Sequence, residues 1–306
     1  MGKTAFLFAG QGAQYSGMGK SLYDTDSAAK ALYDTAEALR PGTMAQSFTG
    51  TAEELKRTEN TQPCLYLVDL ASALALEAAG VHADGAAGFS LGEVAALAFA
   101  DVYSAADGFK IVTERGRLMQ EATEAADTAM CAVVKLDAET VAAAAAEFDQ
   151  LYAVNFNCPG QTVVSGLSSS MPAFTEKIKE LKGKCIPLAV SAAFHSPFMA
   201  DASEAFGKAL AQYTLKASRI PVYANLTAQP YGTEQIAETL QKQMANPVRW
   251  QTTIENMIAD GFTDFIEVGA GKTLSGLVKK ISGDVRIFHV EDADTLAETI
   301  KAVQEA

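Results

Sequence analysis

The sequence predicts an α/β fold in which a small β-α-β-β-α-β unit interrupts a larger, mostly parallel sheet, and three observations predict it. Strand-like and helix-like runs alternate along most of the chain, as a parallel sheet covered by helices requires. A short apolar strand end, Ala86-Ala87-Gly88, passes through Phe89-Ser90-Leu91-Gly92 into the helix-forming run Val94 to Ala100. That is the strand–turn–helix setting of a nucleophile elbow and gives the larger part a hydrolase-like core. Between Ala129 and Val190 the order becomes strand Met130–Leu136, helix Ala138–Phe148, strand Tyr152–Asn157, strand Thr162–Gly166, helix Ser170–Leu181 and strand Cys185–Val190. This is the ferredoxin-like split unit. The expected division is a large α/β hydrolase-like subdomain from 1–126 and 197–306, with a ferredoxin-like small subdomain at 127–196.

Composition narrows the function classes. Of the 306 residues nearly half are hydrophobic and a fifth charged, which describes a packed globular chain. No apolar run reaches the length of about 18 residues that a membrane span needs. Lys3-Thr4-Ala5-Phe6-Leu7-Phe8 reads as a first strand and not as a leader. A cytoplasmic location is expected. The formal charge of −13 argues against nucleic-acid partners, whose phosphates call for a basic surface. Cys64, Cys131, Cys158 and Cys185 are irregularly spaced with no Cys-x-x-Cys pair, so neither a metal site nor a disulfide framework is expected. Lys177, Lys179, Lys182 and Lys184 form one basic cluster, and Lys272, Lys279 and Lys280 another, both read as solvated helix faces before docking surfaces.

Along the chain, the turn Gly10-Gln11-Gly12 follows the first strand and could offer backbone N–H groups to an anion. It is no dinucleotide fingerprint, because the third glycine would fall at Tyr15. Thr61-Gln62-Pro63 opens a helix over Cys64 to Ala79 that Gly80 ends. At the elbow, glycines two residues either side of Ser90 relieve crowding, and a serine at a helix N-terminus sits where developing negative charge is favoured. Ser104 caps a helix running to about Ala122. On it Ile111, Val112, Leu118 and Met119 form one apolar stripe, and Arg115 falls inside that stripe. A buried guanidinium must pair with a carboxylate of the fold or meet an anionic ligand, and the sequence leaves both open.

Asn155 and Asn157 are spaced to share one face of their strand, ahead of the hairpin turn at Pro159-Gly160. His195 is one of three histidines and stands at the junction where the small unit ends, in a segment with little regular structure before Pro197. A lone histidine is structural more often than catalytic, but such junctions commonly hold catalytic side chains. Beyond it the alternation resumes with Val222–Leu226, Glu234–Met244, a helix entered at Pro247-Val248-Arg249-Trp250, Thr263–Val268, Thr273–Ile281, a strand with His289 and a helix from about Ala293. Gly269-Ala270-Gly271-Lys272-Thr273 is not a phosphate loop, because its earlier glycine would fall at Ile266.

Taken in order, the blocks Phe8 to Gln14, Thr61 to Pro63, Gly88 to Glu93, Arg115 to Gln120, Asn155 to Gln161, Ala193 to Ser196, Pro247 to Trp250 and Glu267 to Leu274 cover nearly the whole chain. Their set resembles the malonyl-CoA:acyl-carrier-protein transacylases of fatty acid synthesis and the acyltransferase domains of polyketide synthases. The resemblance implies Ser90 as nucleophile and His195 as its general base, oriented by the main-chain carbonyl of Arg249 in place of a triad acid. It implies an oxyanion hole from the N–H groups of Gln11 and Leu91. Arg115 would bind the free carboxylate of the malonyl group, Phe194 would crowd an α-methyl branch, and Gln62, Asn155 and Met119 would complete the substrate pocket. The partners implied are malonyl-CoA and acyl carrier protein, with coenzyme A and phosphopantetheine thioesters as substrates. No metal or redox cofactor is expected, and the chain is expected to act as a monomer. Two positions depart from the family pattern: Phe89 stands where a histidine usually precedes the serine, and Ala9 where a proline is usual.

Overall fold

The computed structural model describes residues 2–190 and 192–305. In chain order it begins with β1 (Lys3–Phe8), α1 (Lys20–Thr25), α2 (Ser27–Leu39), α3 (Thr43–Thr49), α4 (Ala52–Lys56), α5 (Thr58–Ala78), β2 (Gly85–Gly88), α6 (Leu91–Phe99) and α7 (Ala105–Glu124). It continues with β3 (Thr128–Val134), α8 (Ala138–Ala146), β4 (Leu151–Cys158), β5 (Gln161–Leu167), α9 (Met171–Glu180) and β6 (Lys184–Pro187). The last part holds α10 (Ala200–Leu210), β7 (Val222–Tyr223), α11 (Ile236–Gln243), α12 (Trp250–Ala259), β8 (Phe262–Val268), α13 (Thr273–Ile281), β9 (Arg286–Val290) and α14 (Ala293–Gln304).

Two sheets result. The first has the order β7-β2-β1-β8-β9, and every pairing in it is parallel. Phe6, Phe8 and Ile266 on one face pack against α5 and α6, and Ala5, Leu7 and Phe265 on the other pack toward α12 and α13. Burial on both faces explains why these strands read as continuous apolar runs. The second sheet has the order β4-β5-β3-β6, all antiparallel, with α8 and α9 over Cys131, Val133 and Val164. Among the described residues no helix is long and apolar enough to cross a membrane.

Several expected boundaries shift for identifiable reasons. The helix α5 begins at Thr58, so Pro63 lies inside it and not in its first turn. Its far end is as expected: Gly80 takes φ 84°, and the Val81 N–H returns to Leu76, closing the last turn. Strand β6 ends at Pro187, short of the expected Val190, because the chain then turns toward the cleft between the sheets, where Leu188 and Val190 line a cavity. Helices α1 to α4 and α10 were not foreseen from the sequence. The Ser104 cap forms as expected, its hydroxyl accepting from the Asp107 N–H at 3.0 Å.

Candidate active site

Ser90 is placed by a turn with no room for side chains. A Cβ on Gly88 would lie 2.0 Å from the Gly92 carbonyl carbon, and one on Gly92 would lie 2.3 Å from the Phe8 carbonyl oxygen. Packing α6 this tightly against β1 and β2 forces Ser90 to φ 55°, ψ −104°, a region that costs about 1–3 kcal/mol and is kept where a site needs it. Asn225, just beyond β7, braces the turn. Its Oδ1 accepts from the Ser90 N–H at 2.7 Å, and its Nδ2 donates to the Gly88 carbonyl at 2.6 Å.

His195 comes to the serine from the connection between β6 and α10. Its Nε2 stands 2.8 Å from Ser90 Oγ, and its Nδ1 stands 2.9 Å from the Gln243 carbonyl. A carbonyl can only accept, so Nδ1 carries the proton and Nε2 presents a lone pair to the hydroxyl. The orienting carbonyl is therefore that of Gln243 and not that of Arg249, correcting the expectation from the sequence. Gln243 ends α11, where carbonyls lack intrahelical partners. The Arg249 carbonyl opens α12 and is occupied by the Thr253 N–H and hydroxyl, both at 2.9 Å. Burial, with the Arg115 charge adding to it, lowers the His195 pKa to about 4.

Arg115 is fully buried, and among the described residues it forms no ion pair with a carboxylate. Its Nη1 donates to Gln62 Oε1 at 2.8 Å, and its Nη2 donates to Gln243 Oε1 at 2.7 Å and to Ser90 Oγ at 3.2 Å, while Nε has no partner. Burial lowers its pKa to about 10, and the nearby Glu93 opposes that shift. Of the two readings left open, pairing with a carboxylate of the fold is not what the described residues show. The guanidinium is a cation held by neutral amides beside the serine.

A cavity of about 310 Å³ opens onto Ser90 and His195, walled by Met119, Met130, Leu188, Val190 and Phe194. Gln11 and Gly12 of the glycine turn line it as well, and Leu91 occupies the first turn of α6, where its N–H has no intrahelical acceptor. Gln62 Nε2 lies 3.2 Å from Met119 Sδ, so Gln62 bridges the apolar wall to Arg115. A neighbouring cavity of about 220 Å³ shares Gln11, Gly12, Phe89, Asn155 and Leu188 with the first and adds Asn157 and Gln161. Asn155 and Asn157 face it together as their spacing predicts, each nearly buried with its Oδ1 unpartnered. Phe89 packs on Trp250, ring centroids 5.3 Å apart, and forms part of the boundary between the two spaces. Among the described residues no three His, Cys, Asp or Glu side chains gather to hold a metal ion.

Gln243, Asn225, Glu93 and Tyr231 are contacts the sequence did not reveal. Glu93 was visible as the last residue of the elbow block, but nothing marked its carboxylate as buried. Burial raises its pKa to about 7, against hydrogen bonds from Tyr231, Asn225 and Gln243 that lower it.

Comparison with known proteins places the whole chain in a family. Residues 5–291 match the family model described as acyl transferase domain. The malonyl CoA-acyl carrier protein transacylase of Bacillus subtilis is 40% identical, over 100% of this chain and 98% of that one. A crystal structure of malonyl CoA-acyl carrier protein transacylase from Clostridium perfringens superposes with a TM-score of 0.95 at 35% identity, covering 99% of this chain and 98% of that one. A malonyl-transacylase solved in complex with a type II PKS acyl-carrier protein superposes at 0.94 with 31% identity, over 98% and 99% of the two chains. The chain belongs to the acyl transferase family and, within it, to the malonyl CoA-acyl carrier protein transacylases.

Proposed function

We propose that this chain moves the malonyl group of malonyl-CoA to the phosphopantetheine thiol of an acyl carrier protein, by way of an ester on Ser90, and so supplies fatty acid synthesis. The observation that carries the reading is the meeting of three groups at one atom. Ser90 Oγ lies 2.8 Å from a neutral imidazole nitrogen and 3.2 Å from a buried guanidinium that, among the described residues, no carboxylate pairs with.

In the first half-reaction Ser90 Oγ bonds to the thioester carbonyl carbon while its proton passes to His195 Nε2. The C–S bond then breaks, and the imidazolium returns the proton to the departing CoA sulfur. Donation from Arg115 to Oγ leaves the hydroxyl proton directed at His195 from the start. The Gln11 and Leu91 N–H groups receive the oxyanion, each worth roughly 10²–10³ in rate. In the second half-reaction a carrier thiol gives its proton to His195 and displaces Ser90 by the same steps reversed. Each step is addition or elimination at a carbonyl with proton transfer, so the reading calls for no metal or redox cofactor.

Arg115 selects the acyl group. A planar guanidinium can hold a carboxylate through paired hydrogen bonds, and only two bonds separate the malonyl carboxylate from its thioester carbon, which suits an anchor next to the nucleophile. Phe194, Met119 and Asn155 bound the space left for it, and Gln62, buried behind that wall, holds Arg115. The four free thiols suit a reducing compartment, and we place the enzyme in the cytoplasm, acting as a single chain.

Initial rates with malonyl-CoA and a reduced carrier protein test the mechanism. A Ser90 ester predicts parallel double-reciprocal lines. Intersecting lines would require both substrates to bind before any transfer. Carrier proteins of fatty acid and polyketide synthesis, compared in the same assay, decide which process it supplies.

A further inference from the structure

We infer that Glu93 is a positioning residue for recognition of the acyl carboxylate, acting on Arg115 through the side-chain amide of Gln243. The inference rests on the acyl-transfer reading above and extends it to a residue that touches neither Arg115 nor the cavity.

Glu93 sits in the first turn of α6 and is completely buried. Its Oε1 accepts from the Tyr231 hydroxyl, and its Oε2 accepts from the Asn225 N–H at 2.9 Å and from Gln243 Nε2 at 3.1 Å. Gln243 Nε2 also donates to the Ser90 carbonyl at 2.8 Å and lies 3.4 Å from Asn225 Oδ1. All of these neighbours are acceptors. Turning the amide over would set Oε1 against a carboxylate and a carbonyl, and would set the NH₂ against the guanidinium. An unpaired buried donor or acceptor is costly, so the orientation is fixed.

The consequence reaches Arg115. With Nε2 committed to Glu93, Gln243 Oε1 must face Nη2, where it stands at 2.7 Å, and Gln62 Oε1 holds Nη1 at 2.8 Å. Two neutral acceptors thus fix the guanidinium while leaving its charge for a ligand. A carboxylate in the place of the Gln243 amide would pair with Arg115 directly and compete with the acyl group. Glu93 supplies its acceptor oxygens one residue further back, where they steady the amide without capturing the cation. Through the Asn225 N–H it also grips the residue that braces the Ser90 turn.

The test compares kcat and KM for malonyl-CoA and acetyl-CoA in the wild type, Glu93→Ala and Glu93→Gln, with thermal melts alongside. Glu93→Ala is expected to raise the malonyl-CoA KM about ten-fold, the size of one charged hydrogen bond lost, and to lower the malonyl-to-acetyl preference by a similar factor. Glu93→Gln can offer its Oε1 to the same two N–H groups and its Nε2 to the Tyr231 oxygen, and is expected to restore most of that preference. An equal fall for both substrates, or no rescue by glutamine, would overturn the inference. If Glu93→Ala does not fold, Gln243→Met decides. It keeps the main-chain carbonyl that His195 uses and removes only the amide, so an unchanged malonyl preference in that variant would overturn the inference. A wild-type enzyme with no preference for malonyl-CoA would instead contradict the acyl-transfer reading itself.

Discussion

Arg115 Nη2 and Ser90 Oγ lie 3.2 Å apart, the guanidinium fully buried behind the serine that opens onto the cavity, joining the cation that would read the substrate to the atom that would attack it. The two come from different places in the chain. Arg115 is on the third turn of α7, Ser90 is at the turn from β2 into α6, and the packing of α7 against α6 and α5 brings them together. On the proposed reading, selection and attack would share this hydrogen bond, and a change to either group would be felt by the other.

Arg115→Ala separates the two roles. It removes paired, charge-assisted hydrogen bonds to a carboxylate, so kcat/KM for malonyl-CoA should fall roughly a hundred-fold or more. Acetyl-CoA, which has no carboxylate, should be used as well as before or better. Rates with both thioesters decide the matter. Equal losses would reassign Arg115 to the support of Ser90.

The state of His195 sets the acid side of the pH profile. A protonated imidazole cannot take the Ser90 proton, and burial together with Arg115 disfavours the cation, lowering the pKa from its usual 6.5 to about 4. The kcat/KM for a substrate without a titrating group should hold level as pH falls through 6.5 and drop only as it nears 4. Arg115→Ala removes part of the cause and should move the limb upward. A wild-type limb at 6.5 or above would mean that His195 is charged more easily than its surroundings allow.

The glycines of the elbow can be tested through stability. A Cβ on Gly92 would meet the Phe8 and Ala9 carbonyl oxygens at 2.3 and 2.6 Å, and both belong to backbone that cannot swing aside. Gly92→Ala should cost about 1–3 kcal/mol in chemical denaturation and should displace Ser90 enough to reduce acylation. A variant of wild-type stability and rate would show that α6 can move away from β1.

The sequence made the side chains of this site easier to read than its main-chain contacts. Ser90 could be read because two glycines and a strand-to-helix switch mark the elbow, and Arg115 because a charge on an apolar stripe needs an explanation. Gln243 could not. It lies in the polar run Gln241-Lys242-Gln243, and its contribution to His195 is a carbonyl that every residue possesses. The family resemblance pointed to Arg249, next to the only tryptophan, but its carbonyl is spent on Thr253 in opening α12. In the fold, the regular β-α-β-β-α-β stretch was plain from its alternating periods. Helices α1, α3 and α4, of six, seven and five residues, are too short to show a helical repeat.

The central claim is that Ser90 carries the malonyl group between two thiols. Its most direct test is the intact mass of the protein after brief exposure to malonyl-CoA, with peptide mapping, before and after addition of a reduced phosphopantetheinylated carrier protein. The account predicts one malonyl adduct, located on Ser90, absent in Ser90→Ala and transferred to the carrier when it is added. An adduct lost to water at the same rate with or without carrier would mark a hydrolase, and an adduct that forms in Ser90→Ala would contradict the account.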